Sequence, residues 1–123
     1  GLSYTSFEVG QMNTDKTEYT VNDSIEVSFT LKNTGLRKGA EVAQLYVSDP
    51  VCSVMRPAKE LKAFEKVFLN PGESREVILK VPVGSFAFWS EAENKFVVEP
   101  GEFILSLATS AQDIKQTLRI QVK

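Results

Sequence analysis

The chain has 123 residues, of which 42% are hydrophobic and 24% charged, and its formal net charge is −2. Such a chain is long enough and apolar enough to fold as one globular domain, which excludes intrinsic disorder. The slight negative charge argues against a nucleic-acid partner, which needs a concentrated basic face, and the lack of an apolar run of about 18 residues argues against a membrane partner.

Period-two alternation of apolar and polar residues predicts β-strands along most of the chain. Two strands come first, and their inward-facing residues are Ile25, Val27, Phe29, Leu31, Ala43, Leu45 and Val47. The turn between them is Asn33-Thr34-Gly35. The outer face of the second strand, with Val42, Gln44 and Tyr46, is only partly polar.

Residues 59–69 carry a conflicting pattern. The segment is rich in helix formers, and Leu61, Phe64 and Phe68 fall at helical spacing. Pattern alone therefore allows a short helix, and the turn at Asn70-Pro71-Gly72 suits either element. The resemblance described below favours a strand, which is what we predict.

The remainder of the chain again alternates between apolar and polar residues. We predict inward-facing residues at Val77, Leu79, Val81, Val83, Phe103, Leu105, Leu107, Leu118, Ile120 and Val122. Between these strands, residues 86–89 and 95–99 are predicted to form a hairpin around 90–94. Short alternating strands separated by turn signals are typical of a two-sheet β-sandwich.

Few residues of this chain are of types that could catalyse a reaction or bind a metal ion. The sequence contains no histidine, which removes the usual general base and the commonest metal ligand. Glu91 and Glu93 are close in sequence, but a hairpin loop places them in water as ordinary ionised carboxylates. The single Cys52 cannot form an internal disulfide. We therefore predict no catalytic residue, no metal site and no cofactor.

Aromatic residues allow a second hypothesis, because sugar-binding modules stack pyranose rings on exposed aromatic faces. Trp89 and Tyr46 are the candidates for such stacking. Sandwich cores also require large aromatic side chains, each of which buries roughly 150–250 Å². We interpret Phe86, Phe88, Trp89 and Phe96 as a hydrophobic cluster under the hairpin, and a sugar platform remains the alternative.

A series of motifs runs through nearly the whole chain in a fixed order. The most informative are Glu41-Val42-Ala43-Gln44-Leu45-Tyr46-Val47-Ser48-Asp49-Pro50 and Arg56-Pro57-Ala58-Lys59-Glu60-Leu61-Lys62-Ala63-Phe64. Lys32-Asn33-Thr34-Gly35 precedes them, and residues 69–74 and 96–103 follow. The series resembles the fibronectin type III-like domain that closes many family 3 glycoside hydrolases, the β-glucosidase and β-xylosidase group.

The resemblance implies an all-β fold, a fibronectin type III-like (immunoglobulin-like) antiparallel β-sandwich of about seven to nine strands. Residues 1–123 would form one domain, with 1–6 as a linker from a preceding catalytic domain of the parent protein. The chain itself would be a non-catalytic accessory domain that packs on and stabilises the catalytic domains of its parent. The parent would be a β-glycosidase that hydrolyses O-glycosidic bonds, in the periplasm or outside the cell.

The long connection before residue 60 is our candidate for the inter-domain docking loop, because long ordered loops are usually functional. Its candidate residues are Pro50, Arg56, Pro57, Lys59 and Glu60. Arg56 could pair with a carboxylate across an interface, and Pro57 would limit the entropy lost on ordering. A solvated loop without a partner is the alternative. Two further functions stay open, an independent carbohydrate-binding module and a cell-surface protein-interaction or spacer domain.

Overall fold

The computed structural model describes residues 7–48, 60–109 and 112–123, with only the backbone described for Phe88 and for 112–115. Within these residues the chain forms eleven strands and one short 3₁₀ helix. The strands make two sheets that enclose a common core, and a separate two-stranded hairpin. The predicted β-sandwich is confirmed.

The first sheet is built around the long strand β4 (Ser24–Asn33). Along one edge β4 pairs antiparallel with β7 (Ser74–Pro82), with Phe29 opposite Val77. Along the other edge it pairs with two short strands, β1 (Phe7–Val9) and β2 (Asn13–Thr14).

The second sheet has five strands. Their spatial order is β3 (Glu18–Tyr19), β11 (Gln112–Val122), β10 (Gly101–Thr109), β5 (Gly39–Ser48) and β6 (Glu60–Leu69). The ladder between β3 and β11 is parallel, whereas those that join β11, β10, β5 and β6 are antiparallel. β6 therefore lies at one edge of the sheet, and the segment 59–69 contributes a strand and not a helix.

A hairpin follows the first sheet. The strand predicted to continue through Val83 ends at Pro82, because the Val83 N–H donates to the Asp23 carbonyl and a 3₁₀ helix, Val83–Phe86, begins there. β8 (Phe88–Ser90) and β9 (Lys95–Val97) then pair antiparallel.

The core lies between the two sheets and is filled by the alternating residues that the sequence predicts. Its largest fully buried side chains are Tyr19, Phe86, Phe103, Ile25, Leu31, Leu45, Leu69, Leu105, Leu107, Ile120, Val27 and Val67. Phe86 and Phe103 join the helix to β10, with ring centroids 4.8 Å apart. The turn from β6 to β7 requires Gly72, whose φ of 78° lies in the left-handed region that suits glycine.

Candidate functional site

The predicted docking loop is described only at its last residue. Pro50, Arg56, Pro57 and Lys59 lie outside the described residues. Glu60 begins β6, and its Oε2 lies 3.0 Å from Nζ of Lys62. That same Nζ donates to the carbonyl of Ser85 at 2.6 Å, so the start of β6 is held against the 3₁₀ helix. The docking role of the loop stays a prediction.

Trp89 lies on the hairpin and is 47% exposed, and Phe96 opposite it on β9 is 68% exposed. Their rings meet edge to face, with centroids 5.2 Å apart and an interplanar angle of 79°. Among the described side chains of the predicted cluster Phe86 is buried, whereas Trp89 and Phe96 are exposed, so the prediction of a core role is wrong for those two. The hairpin forms a two-stranded sheet of its own, and the paired side chains of Trp89 and Phe96 are exposed to water.

Tyr46 lies on the outer face of the second sheet and is half-buried. Its hydroxyl donates to Oε1 of Gln44 at 3.2 Å. Because Tyr46 belongs to β5 and Trp89 to the hairpin, the two candidate sugar-stacking residues lie in different sheets.

A set of exposed apolar side chains lies on the outer face of β6. We call Leu61, Phe64 and Phe68, which are 45%, 67% and 53% exposed, the β6 apolar stripe. On the opposite face of the same strand, Val67 and Leu69 are buried in the core, at 2% and 0% exposed. β6 therefore carries large apolar side chains on both faces.

A bulge explains why the helical spacing of the stripe fits a strand. Leu45 on β5 pairs with Ala63, and the next residue, Tyr46, pairs with Leu61, so Lys62 is one residue in excess. This extra residue puts Leu61 on the outer face together with Phe64. The spacing is visible in the sequence, but the surface that it creates depends on the pairing with β5.

The outer face of the first sheet is different. Its residues on β4 and β7 are Ser24, Glu26, Ser28, Thr30, Lys32, Ser74, Glu76, Ile78, Lys80 and Pro82. Ile78, 50% exposed, is the single large aliphatic side chain among them. A sheet with one face on the core and one in water is expected to look like this, and the second sheet departs from that rule at β6.

The acidic side chains give no catalytic arrangement in the described part of the chain. Glu91 and Glu93 are exposed in the turn between β8 and β9, as predicted. Within residues 7–48, 60–109 and 112–123, no three cysteine, aspartate or glutamate side chains group closely enough to hold a metal ion. No helix among those residues is long and apolar enough to cross a membrane.

Shifted pKa values occur at the turn that leads into β3. Burial and a hydrogen bond to Asp15 raise the pKa of Tyr19 to about 12. Desolvation raises the pKa of the Asp15 carboxyl, but hydrogen bonds from the Tyr19 hydroxyl and the Glu26 N–H outweigh it and hold that pKa below its ordinary value. This network fastens β3 to the first sheet, which is a structural role.

A shallow groove of about 780 Å³ lies beside β1 and β4. Glu8 and Lys32 are its only charged lining residues among those described, and Gln116 spans it by bonding the backbone of Gly10 and Met12. The groove contains no arrangement suited to acid–base or nucleophilic chemistry.

Comparison with known proteins identifies the family. The sequence model of the fibronectin type III-like domain matches residues 41–111. The chain belongs to the fibronectin type III-like domain family. The resemblance on which the fold was predicted is thereby confirmed.

Similar proteins that are β-glucosidases contain this domain as a small part of a longer chain. The thermostable β-glucosidase B of Acetivibrio thermocellus is 44% identical over 122 residues, which cover 98% of this chain and 16% of that protein. The periplasmic β-glucosidase of Salmonella typhimurium is 35% identical over 94% of this chain and 15% of its own. The solved β-glucosidase of Erythrobacter marinus superposes with a TM-score of 0.88 at 37% identity, over 100% of this chain and 16% of that one.

Proposed function

We propose that this fibronectin type III-like domain is the non-catalytic accessory domain of a family 3 glycoside hydrolase of the β-glucosidase type. In this role it packs on the catalytic domains of its own parent chain and stabilises them. The observation that carries the proposal is the match itself. Nearly the whole of the chain matches, but it covers only about one sixth of the length of β-glucosidases such as the Acetivibrio protein.

The chemistry of the chain agrees with a non-catalytic role. The sequence lacks histidine, and Glu91 and Glu93 lie exposed in the turn between β8 and β9. The two carboxylates that most glycosidases use would then belong to the rest of the parent. Because the Salmonella relative is named as periplasmic, we propose a location in the periplasm or outside the cell for this protein as well.

Removal of the domain from the parent tests the proposal. An accessory domain that binds the catalytic part only in its folded state shifts the equilibrium of that part towards folding. Because the two parts belong to one chain, the linker between them sets the effective concentration at which they bind. Truncation of the parent before Phe7 should therefore shorten the half-life of β-glucosidase activity at elevated temperature and leave the initial rate on a small glucoside largely unchanged. Equal half-lives with and without the domain would contradict the stabilising role.

The exposure of Trp89 supports a second candidate function, the binding of carbohydrate. A half-exposed tryptophan beside an exposed phenylalanine can offer an apolar ring face to a pyranose. Trp89 is the only tryptophan of the chain, so its fluorescence reports this site alone. A spectral shift with gluco- or xylo-oligosaccharides at millimolar concentration, lost in Phe96→Ala, would support binding. No change at those concentrations would remove the candidate.

A further inference from the structure

We propose that the outer face of β6 is the surface on which the rest of the parent polypeptide docks, with Phe64 and Phe68 as the anchors of the interface. This inference rests on the proposed function and names the surface that performs it. The β6 apolar stripe is the feature of the described residues that carries it.

The arrangement of apolar residues on β6 supports this proposal. A strand with apolar residues on both faces is typical of a sheet that is covered on both sides, whereas a strand with one face in water alternates. The inner face of β6 is in the core, but Phe64 and Phe68 are still 67% and 53% exposed. Burial of such side chains is favourable, so the uncovered stripe provides a driving force for association.

The residues of β5 that lie beside the β6 apolar stripe also support it. Across the β5–β6 ladder, Phe68 lies opposite Ala40 and Leu61 lies opposite Tyr46. These partners add a small and an aromatic group beside the stripe, and Gln44, opposite Phe64, adds an uncharged amide. An apolar centre with few charges is the composition of an interface core.

The occupant follows from the length of the relatives and from a lysine on the outer face of β6. The domain covers 16% of the Acetivibrio enzyme, so most of a polypeptide of that kind is tethered beside it at high effective concentration. Lys66 lies between the two phenylalanines, with Nζ 5.2 Å from the Phe68 ring centroid. Burial of an ammonium group requires a paired anion, so the docked surface of the parent is apolar with a carboxylate facing Lys66.

Hydroxyl-radical footprinting of the intact parent enzyme measures this burial directly and needs no substitution. Oxidation of each side chain is divided by its intrinsic reactivity and compared within the same protein. Phe64 and Phe68 should be oxidised at rates close to that of the buried Phe103. Ile78 should react about fivefold faster than they do, because an interface core is desolvated like a protein interior. Oxidation rates of Phe64 and Phe68 as high as those of solvent-exposed side chains would overturn the inference.

The pattern of protection separates this inference from the proposed function. If Phe64 and Phe68 react freely while Ile78 or Phe96 is protected, the domain docks through another face, and only the present inference fails. If none of these four is protected, the packing role fails as well. If protection of Phe64 disappears on dilution, the occupant is a second copy of the chain, which also overturns the inference.

Substitution gives an independent check in the intact parent. Phe64→Thr together with Phe68→Thr keeps residues that favour strands and removes the anchors. The pair should lower the melting temperature of the parent by several degrees. Ile78→Thr, the matched control on an equally exposed edge strand of the other sheet, should change it by less than about 2 °C. Equal losses in the two variants would contradict a docking role for the stripe.

Discussion

Asn33 shows how one buried polar residue links three parts of the fold. The residue is fully buried, and its side-chain amide donates to the carbonyls of Arg37 and Leu69 while its oxygen accepts from the Gly35 N–H. Its backbone N–H and carbonyl bond with Glu73 and Gly72. The end of β4 is thus joined to both neighbouring turns through Asn33.

We expect Asn33→Ala to be strongly destabilising. The substitution removes the amide that bonds the Arg37 and Leu69 carbonyls, and loss of the donor to the buried Leu69 carbonyl costs about 1–3 kcal/mol. Asn13→Ala is the control, because Asn13 is exposed and makes a single 3.3 Å bond to Gln11. Urea unfolding of the two variants should show a loss for Asn33→Ala and a change within about 0.5 kcal/mol for Asn13→Ala. Similar midpoints would contradict the linking role.

The ionisation of Tyr19 makes the free energy of unfolding depend on pH under alkaline conditions. Its pKa rises from 10.0 to about 12 on folding, so the folded state holds the phenolic proton more tightly than the unfolded state does. The resulting stabilisation is fully present below pH 10 and is lost as the pH rises from 10 towards 12. In this window the wild-type protein should lose more stability than Tyr19→Phe, which has no proton to release.

The measurement is urea unfolding of both proteins at a series of pH values from neutral to alkaline. Tyr46→Phe serves as the control, since Tyr46 bonds only a side chain on the outer face. Parallel curves for the wild-type protein and Tyr19→Phe would show that the Tyr19 hydroxyl contributes nothing to the alkaline loss.

At the scale of single elements, the hairpin and β10 carry phenylalanines in opposite environments. Phe103 on β10 is 2% exposed and packs on Phe86, whereas Phe96 on β9 is 68% exposed. Phe103→Ala should cost about 3–5 kcal/mol of unfolding free energy. Phe96→Ala should cost less than about 1.5 kcal/mol, which is the worth of its edge-to-face contact with Trp89. A larger loss of unfolding free energy in Phe96→Ala than in Phe103→Ala, measured by chemical denaturation, would contradict the account.

The sequence predicted the long strands well because period two follows directly from which face meets the core. Residues such as Ile25 and Leu105 are buried as expected. The short strands β1, β2 and β3 were not predicted, because their pairing depends on distant partners. β3 consists of two residues that pair with the end of β11. The exposure of Trp89 was missed for a similar reason, since local alternation does not tell whether a hairpin lies on or off the sandwich.

The sequence of β6 fits either a helix or a strand, and it also contains the apolar residues of the exposed stripe. Its helical spacing arises from a strand with a bulge, and its second apolar face has no partner in the described part of the chain. Local pattern could not distinguish these readings, because both place a hydrophobic residue every three or four positions. The ladder with β5 decided between them, from Gly39 opposite Leu69 to Val47 opposite Glu60.

At the scale of the whole molecule, the domain has two unlike outer faces. The first sheet presents charged and hydroxylic side chains to water, and the second presents the β6 apolar stripe. A self-sufficient spacer domain would be expected to have two polar faces, since exposed apolar patches mark interaction sites. This asymmetry is the physical reason for placing the domain against a partner within its own chain.

Differential scanning calorimetry of the intact parent and of the 123-residue chain is the most direct test of that packing role. Docking on the catalytic part binds only the folded state, so it raises the temperature at which this domain unfolds. We predict that the domain unfolds in the parent about 5 °C or more above the free chain, or together with the catalytic part in one transition. A separate transition at the same temperature in both proteins would contradict the account.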